Sequence, residues 1–381
     1  MDYSFSDEHK MLRTMARDFA NAEIRPIAAS IDENESIPKS LINKLAETGL
    51  LGIAIPEQYG GGGFGEVGYC LALEEITKAC ASTSAFVGAH QSIGANAINI
   101  GGSEFLKQKY LPSLASGKKI AAFALTESGA GSDAFNLSTK AKYIDGHWVL
   151  NGEKIWITNA GIADVFSVFA RTAKGITGFV VEKDFPGVVI APKEKKLGIR
   201  GSTTNSISFE NVKVPEENII GKDGRGFLIA MKTLDSGRLG IGAGSLGAAK
   251  ELLRLAVEHA NQRKQFGKVI SNFQGIQFMI ADMTTKIYAM ESMLYRAAQK
   301  YDRGKDVSQE AAMVKLFCSE GVSAVADLAL QIHGGMGFSR ELPVERFYRD
   351  ARILRIFEGT SEIQKMVISR KTIKQKGDWK L

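Results

Sequence analysis

Apolar residues recur at three- and four-residue spacings through the first third of the chain, which predicts amphipathic helices. Three segments follow this pattern, at residues 7–24, 38–52 and 68–82. Prolines interrupt the pattern at Pro26, Pro38 and Pro56. The four consecutive glycines at positions 60–63 predict a loop between these helices, because glycine is costly within a regular element.

From about Ile120 the pattern changes to short segments rich in Val, Ile, Phe and Trp, separated by turn pairs such as Asp-Gly and Asn-Gly. No helical segment lies between these predicted strands, so we expect a largely antiparallel sheet and not a doubly wound parallel one. After Gly226 the helical spacing returns in segments long enough for a bundle, at residues 227–264, 273–304 and 308–335.

These patterns predict an α+β protein with an N-terminal α-helical domain at residues 1–120, a middle antiparallel β domain at residues 121–226 and a C-terminal four-helix bundle at residues 227–381. The composition, with 44% hydrophobic and 24% charged residues among 381, is that of a globular protein with more than one core. No apolar run reaches transmembrane length and the N-terminus does not resemble a signal peptide. We therefore expect no integral membrane segment, and a location in a bacterial cytoplasm or an organelle matrix.

The candidate metal-binding and anion-binding residues are sparse. Three cysteines, Cys70, Cys80 and Cys318, are widely spaced, and the histidines do not fall at ligand spacings, so neither a metal site nor a disulfide framework is expected. The net charge of +6 is compatible with a phosphate-bearing ligand, but the basic residues are dispersed, which argues against a nucleic-acid partner. We expect the basic residues near the C-terminus to be solvated: Arg370, Lys371, Lys374, Lys376 and Lys380.

Two segments match the glycine spacing of a dinucleotide-binding loop, at residues 129–134 and 242–247. The first lacks the following helix and the second lacks the preceding strand, so neither is interpreted as a Rossmann motif. The glycines at positions 240 to 247 instead predict close packing between helices. In the first segment, hydroxyl groups and free backbone N–H groups could bind a phosphate or a polar ring edge.

Glu358 follows a short apolar run and directly precedes Gly359. Taken alone, this pattern favours a helix end, with Thr360 capping the next helix and the acid exposed to solvent. Five segments change that interpretation when they are taken together. In chain order they read FALTESGAGS, GEKIWITNA, RKQFGK, QIHGGMGF and RIFEGTSEIQ.

The order and spacing of these segments over the whole chain resemble the acyl-CoA dehydrogenase family of flavoproteins. The segment VGAHQSIG is locally similar to the very-long-chain branch, although the chain lacks the C-terminal extension of that branch. The resemblance implies the acyl-CoA dehydrogenase fold and FAD as cofactor. It also implies a homo-oligomer, a tetramer built as a dimer of dimers, in which FAD lies across a subunit interface.

The resemblance also implies residue roles. FAD contacts within one subunit fall on Phe123, Leu125, Thr126, Gly131, Ser132, Trp156, Ile157, Thr158, Thr360 and Glu362. Contacts to the FAD of a neighbouring subunit fall on Arg263, Gln265, Phe266 and Gln274, and contacts to its adenine and pyrophosphate portion fall on Gln331, Ile332, Gly334 and Gly335. Substrate contacts fall on Ser132, Asp235, Arg238 and Gly359. From the residues alone, Asp235 and Arg238 could equally be a pair on a helix surface.

Glu358 matches the catalytic base of the family, although some members carry the base near the position of Gly237. The implied reaction removes the α-proton of a saturated fatty acyl-CoA thioester and yields a trans-2-enoyl-CoA, with electrons passing to an electron-transferring flavoprotein. Such a base needs a pKa raised by desolvation. Gly88 is expected to leave room at the bottom of the acyl pocket. The sequence leaves the chain length open, with a lean to medium or long straight chains.

Three other functions share the expected fold. An acyl-CoA oxidase would differ by its access to oxygen, and an enoyl-CoA reductase would use the same residues in the opposite direction. A DNA-associated flavoprotein would carry a basic extension, and none is evident. Oxygen reactivity and the electron partner would separate the first two from a dehydrogenase.

Overall fold

The computed structural model of the protein describes residues 5–374, so Lys376 and Lys380 of the basic stretch lie outside the described residues. The N-terminal helices are α1 (Asp7–Phe19), α2 (Ala28–Glu33), α3 (Lys39–Glu47), α4 (Gly65–Ala79), α5 (Ala81–Gly88), α6 (Asn96–Gly101) and α7 (Glu104–Ala115). Ser6 caps α1 and Ser103 caps α7 through their side-chain oxygens. The glycines at positions 60–63 lie in a loop, as predicted. A π-helical segment, Ala89–Ala95, joins α5 to α6.

The middle of the chain forms a twisted sheet. Its strands are β1 (Ala121–Ala124), β2 (Lys140–Ile144), β3 (His147–Thr158), β4 (Val165–Thr172), β5 (Gly175–Glu182), β6 (Val188–Ile190), β7 (Thr204–Pro215) and β8 (Ile219–Ile220). Their order is β6-β7-β3-β2-β4-β5-β8, with β1 paired to β4. Most neighbours are antiparallel, as predicted.

The sheet departs from a purely antiparallel arrangement at β4, because β1 pairs in parallel with β4. β2 also touches β4 in parallel, at Lys140 and Arg171. A parallel pair needs a long crossover connection, which is usually a helix. Here the hairpin β2–β3 and the loop before it provide that connection, so the missing helix did not exclude a parallel pair. The sheet is therefore mixed.

The C-terminal part is built on long helices, as predicted. They are α8 (Gly226–Gln262), α9 (Gln274–Asp302) and α10 (Ser308–His333), followed by α11 (Gly335–Phe338), α12 (Val344–Ala351) and α13 (Ser361–Lys374). A short hairpin of β9 (Lys264–Gln265) and β10 (Lys268–Val269) separates α8 from α9. The helices α8, α9 and α10 pack on one another, α13 packs on α10, and α4 packs against α8 and α9.

Glycines allow α8 to approach its neighbours closely. A Cβ atom at Gly242 would lie 2.5 Å from Val314 Cγ1, and one at Gly247 would lie 2.2 Å from the carbonyl oxygen of Glu74. This agrees with the packing role predicted for the glycines. One continuous apolar core links the N-terminal helices, the sheet and the bundle. No helix within residues 5–374 is both long and apolar enough to cross a membrane.

Candidate active site

Glu358 lies in a tight turn between α12 and α13. Its φ is +52° and that of Gly359 is +97°, so two successive residues have positive φ angles. Residues other than glycine rarely adopt this backbone conformation. The Lys315 ammonium donates to the Gly359 carbonyl at 2.7 Å, and the Gln364 amide donates to the same carbonyl at 3.0 Å. The predicted cap is present, since Thr360 Oγ1 accepts from the Ile363 N–H. Side chains from α10 and α13 therefore hold a strained turn in place.

The Glu358 carboxylate is not the solvated acid that its local sequence suggested. The residue as a whole is half-buried, but its Oε2 atom is shielded from solvent and has no hydrogen-bond partner among the described residues. A Cβ atom at Gly237 would lie only 2.1 Å from that oxygen, so α8 closes one side of the carboxylate. Burial raises the pKa of Glu358 to about 7, although the positive charges of Lys315 and Arg238 oppose the shift.

The apolar surroundings of this carboxylate include the π-helical segment. Ile93 Cγ2 would lie 2.9 Å from the same Cβ position at Gly237. Ile93 also belongs to a buried cluster that contains Phe123 and Leu125. Segments of π-helix are frequent at functional sites. Ile93 thus lies between the start of the predicted flavin loop and the position on α8 that faces Glu358.

The predicted flavin loop, residues 123–132, leaves β1 and turns towards solvent. Phe123 and Leu125 are buried, Thr126 is half-buried, and Gly131 and Ser132 are exposed. A Cβ atom at Gly129 or Gly131 would meet no atom within 4 Å. The outer half of the loop therefore borders open space, with its backbone accessible.

A buried ion pair anchors the inner half of this loop. The Lys154 ammonium donates to the Leu125 carbonyl at 3.0 Å and to Glu127 Oε1 at 2.7 Å. Burial lowers the pKa of Lys154 to about 8. Burial would raise the pKa of Glu127, but hydrogen bonds from Lys154, Ser138 and Thr139 outweigh it and lower that pKa to about 2. Our sequence analysis missed this pair. The sequence did contain a signal for the pair. Alternate residues of a strand face the same side, and Lys154 lies an even number of residues after the buried Trp148 and Leu150 on β3, so its side chain faces inward.

The segment Trp156 to Thr158 contains a bulge. Trp156 has a φ of +59° and its side chain is 58% exposed, in the irregular part of the β3–β7 pairing. Thr158 is half-buried, whereas Ile157 is buried in the core. The indole and the threonine are thus accessible from outside the core, and Ile157 could reach a cofactor only through its backbone.

Asp235 and Arg238 form an ion pair on α8, with 2.8 Å between Arg238 Nη1 and Asp235 Oδ1. Both side chains are buried, which contradicts the alternative of an exposed helix-surface pair. Arg238 Nε has no hydrogen-bond partner among the described residues. Burial raises the pKa of Asp235, although Arg238 opposes this. An unsatisfied buried donor beside Glu358 calls for a partner, and a bound ligand could supply one.

The other predicted FAD contacts lie far from Glu358. Arg263, Gln265, Phe266 and Gln274 are exposed around the hairpin β9–β10, and Gln331, Gly334 and Gly335 are exposed at the end of α10, whereas Ile332 is buried. His259 stacks on His333 with 4.5 Å between ring centroids, which joins these two groups. Along α10, Lys315 and His333 are separated by about 27 Å at ~1.5 Å per residue. One chain therefore does not bring this second set to its own Glu358. Glu362, on the first turn of α13, is exposed.

The chain thus combines a shielded carboxylate of raised pKa, at Glu358, with an exposed indole on β3, at Trp156. Three family models match consecutive parts of the chain: the acyl-CoA dehydrogenase N-terminal domain over residues 6–118, the middle domain over residues 122–212 and the C-terminal domain over residues 224–373. The chain belongs to the acyl-CoA dehydrogenase family, whose members are FAD-dependent oxidoreductases acting on CH–CH donors.

Individual relatives match nearly the full length. The short-chain specific acyl-CoA dehydrogenase of Clostridium acetobutylicum is 45% identical over 97% of this chain and 99% of its own length. The butyryl-CoA dehydrogenase from Megasphaera elsdenii superposes with a TM-score of 0.96 at 41% identity, covering 98% of this chain and 100% of that chain. A chain from the structure of the electron transferring flavoprotein of Acidaminococcus fermentans gives the same TM-score of 0.96, identity of 41% and coverage of 98% and 100%.

The described residues fit a flavin. Trp156 offers an exposed aromatic surface, and the loop at Gly129 and Gly131 offers accessible backbone groups beside open space. Backbone N–H groups in such a loop are suited to pyrophosphate oxygens or to the polar edge of a ring. The hydroxyls of Thr126 and Thr158 add donors that can rotate towards either.

Proposed function

We propose that the protein oxidises saturated fatty acyl-CoA thioesters between the α- and β-carbons and releases trans-2-enoyl-CoA. The observation that carries this proposal is the shielded Glu358 carboxylate with a pKa near 7, enclosed by Gly237 and supported by Lys315. Bound FAD would supply the acceptor for the β-hydride. On this proposal Phe123, Leu125, Thr126, Gly131, Ser132, Trp156, the Ile157 backbone, Thr158, Thr360 and Glu362 would hold it.

Glu358 acts as the base towards the α-proton. A solvated glutamate has a pKa of about 4.3, far too low for an efficient attack on a carbon acid. Burial raises the pKa to about 7, which strengthens the base while leaving much of it ionised at neutral pH. An apolar acyl chain would remove further water from the carboxylate and raise its basicity again.

The turn that carries Glu358 also serves the thioester carbonyl. We propose that the Glu358 N–H donates to this oxygen as negative charge develops on it, and that Gly359 allows the thioester to approach the backbone. Donors fixed in advance stabilise such charge without reorganisation in the transition state. Lys315 and Gln364 hold the Gly359 carbonyl, so the peptide groups of the turn keep their direction.

Asp235, Arg238 and Ser132 are proposed to contact the CoA portion of the substrate. The buried Arg238 Nε supports this, since it lacks a partner among the described residues. The likeness to a chain in an electron transferring flavoprotein structure supports such a flavoprotein as the electron acceptor. We also propose the cytoplasm or an organelle matrix as the compartment.

The test compares the wild-type protein with Glu358→Gln. Saturated acyl-CoA added without oxygen should bleach the flavin absorbance of the wild type, and the variant should keep FAD but bleach about a thousandfold more slowly. Glu210→Gln changes an exposed glutamate and is the matched control. Normal bleaching by Glu358→Gln would exclude this residue as the base. Oxygen or an electron-transferring flavoprotein, added after bleaching, then separates an oxidase from a dehydrogenase.

A further inference from the structure

Tyr69, on α4, is buried, and its phenol lies close to Gly240 on α8 and to Gly88 at the end of α5. A Cβ atom at Gly240 would lie 2.5 Å from its Oη and 3.0 Å from its Cε1. A Cβ atom at Gly88, on the opposite side, would lie 3.3 Å from the same Oη. The phenol therefore fills the gap between these two glycines. The room that Gly88 was expected to leave for an acyl chain is occupied by Tyr69.

Tyr69 and the Glu358 carboxylate cover successive turns of α8. The atom nearest to a Cβ at Gly237 is Glu358 Oε2, and the atom nearest to a Cβ at Gly240 is Tyr69 Oη. Three residues of an α-helix rise by about 4.5 Å. The α-carbon of a substrate has to lie beside the Glu358 carboxylate. Asp235, the proposed CoA contact, lies towards the N-terminal end of α8, so the acyl tail has to run the other way, towards Gly240.

Beyond Tyr69 the helices α4 and α8 are in direct contact. A Cβ at Gly244 would lie 3.4 Å from Thr77 Oγ1, and one at Gly247 would lie 2.2 Å from the Glu74 carbonyl oxygen. At Gly247 the two helices lie too close together to admit even a methyl group. Burial raises the pKa of Tyr69 well above its usual value, so the group at this end of the site is a neutral phenol.

We propose that Tyr69 ends the acyl-chain site and restricts the substrates to short straight acyl-CoA thioesters of about four to six carbons. This inference rests on the proposed function. The length follows from the rise of ~4.5 Å between Gly237, which faces the base, and Gly240, which faces the phenol, since an extended chain advances ~1.2 Å per bond. Tyr69 is thus a specificity-determining residue.

The test measures kcat/KM for straight-chain acyl-CoAs from butyryl to dodecanoyl with the wild type, Tyr69→Phe and Tyr69→Ala. The wild type should prefer butyryl- or hexanoyl-CoA over decanoyl-CoA by at least about tenfold, since pocket length discriminates methylene groups by roughly this factor or more. Tyr69→Phe keeps the ring and should keep the profile. Tyr69→Ala should raise the ratio of decanoyl to butyryl activity by about tenfold or more.

A second measurement does not depend on turnover. Dissociation constants of trans-2-enoyl-CoA products of four to twelve carbons, measured by calorimetry, should be lower for the short products than for the long ones. Tyr69→Ala should tighten the binding of the longer products. Tyr69→Leu, which keeps more apolar volume, replaces Tyr69→Ala if that variant does not fold. Equal kcat/KM of the wild type for butyryl- and decanoyl-CoA, or an unchanged chain-length profile in the folded variant, would overturn the inference. Failure of every acyl-CoA to bleach the flavin would instead overturn the proposed function, and product binding would still test Tyr69.

Discussion

Lys315 is the residue that most directly supports the turn at Glu358. It is wholly buried, its ammonium donates to the Gly359 carbonyl at 2.7 Å, and its charge lowers the pKa of Glu358. Burial in turn lowers the pKa of Lys315 to about 8, although Glu358 opposes this shift. An acid and a cation with values this close to neutrality fit a site that exchanges a proton at physiological pH. On the proposed function, Lys315 is therefore a positioning residue for the base, Glu358.

Lys315→Met should move the activity of the enzyme to higher pH. Loss of the positive charge removes a contribution that favours the ionised carboxylate, so the pKa of Glu358 rises, by roughly one unit for a nearby charge. Because the base acts when deprotonated, the acidic limb of kcat/KM against pH, expected near pH 7, should shift upwards. The pH profile is the measurement, and Lys140→Met, at an exposed lysine, is the control. An unshifted limb would mean that Lys315 only supports the fold.

Glu358 and Lys315 show what the sequence could reveal at the level of single residues. The local pattern around Glu358 indicated the turn and the Thr360 cap correctly, but it favoured a solvated acid. Burial here comes from Gly237, which is distant in sequence and invisible to a local pattern. The sequence analysis did not single out Lys315. This lysine lies four residues after Ala311 and three before Cys318, so it shares the buried face of α10 with them. A lysine on an apolar stripe was the available signal.

Among the elements, β3 does most to fix the predicted flavin loop. Lys154 points from this strand into the protein and holds both the Leu125 carbonyl and Glu127, while a bulge two residues later exposes Trp156. Removing one member of a buried ion pair leaves the other charge uncompensated. The position of Lys154 on β3 therefore anchors the loop and lies directly before the bulge.

Lys154→Met should lower the free energy of unfolding by about 3–5 kcal/mol, because Glu127 would remain buried without its partner. The loop should also lose its anchor at Leu125, so FAD should be retained less tightly. Thermal or denaturant unfolding and the flavin-to-protein absorbance ratio are the measurements. Lys10→Met removes a lysine from an exposed pair with Asp7 and should change neither. A Lys154→Met protein as stable and as flavin-rich as the wild type would refute this role.

The sequence predicted the helices and most strands well, because their spacings are local properties. It missed the parallel pairing of β1 with β4, since the partner of a strand is a non-local choice that local periodicity does not encode. It also attributed the α8 glycines at positions 240 to 247 to helix packing alone. Gly242 and Gly247 agree with this, but Gly240 makes room for Tyr69, and Gly237, outside that set, makes room for Glu358. The spacing of the glycines shows that one face of the helix carries small residues, but it does not show which groups pack against that face.

On the scale of the whole molecule, the predicted FAD contacts fall into two groups. One group lies on the loop after β1, on the bulge of β3 and on the turn at Glu358. The other lies at the hairpin β9–β10 and at the end of α10, where His333 is about 27 Å from Lys315 along the helix. In the second group Phe266 is 92% exposed, and Phe338, three residues after Gly335, is 80% exposed. Exposed apolar patches of this kind mark interaction sites. Both observations support the prediction that each FAD is shared between two copies of the chain.

Phe266→Glu should weaken assembly and FAD retention together, because a charge would replace an apolar contact at the proposed interface. We expect loss of at least half of the bound flavin and a smaller particle, measured by size-exclusion chromatography with light scattering and by the flavin absorbance ratio. Phe105→Glu, at another exposed phenylalanine on α7, is the control and should change neither. A monomeric Phe266→Glu protein with a full complement of FAD would show that one chain suffices to bind the cofactor.

The length of α10 has a consequence for mixtures of normal and altered chains. Near one end, Lys315 supports the base of its own subunit, and at the other end lie the residues proposed to reach the FAD of another. On that proposal, a change that bends α10 damages two catalytic centres, and each intact centre needs two normal chains. In a cell that makes both versions, the share of working centres would fall with the square of the normal fraction. Such an allele would be partly dominant, although it touches neither substrate nor flavin.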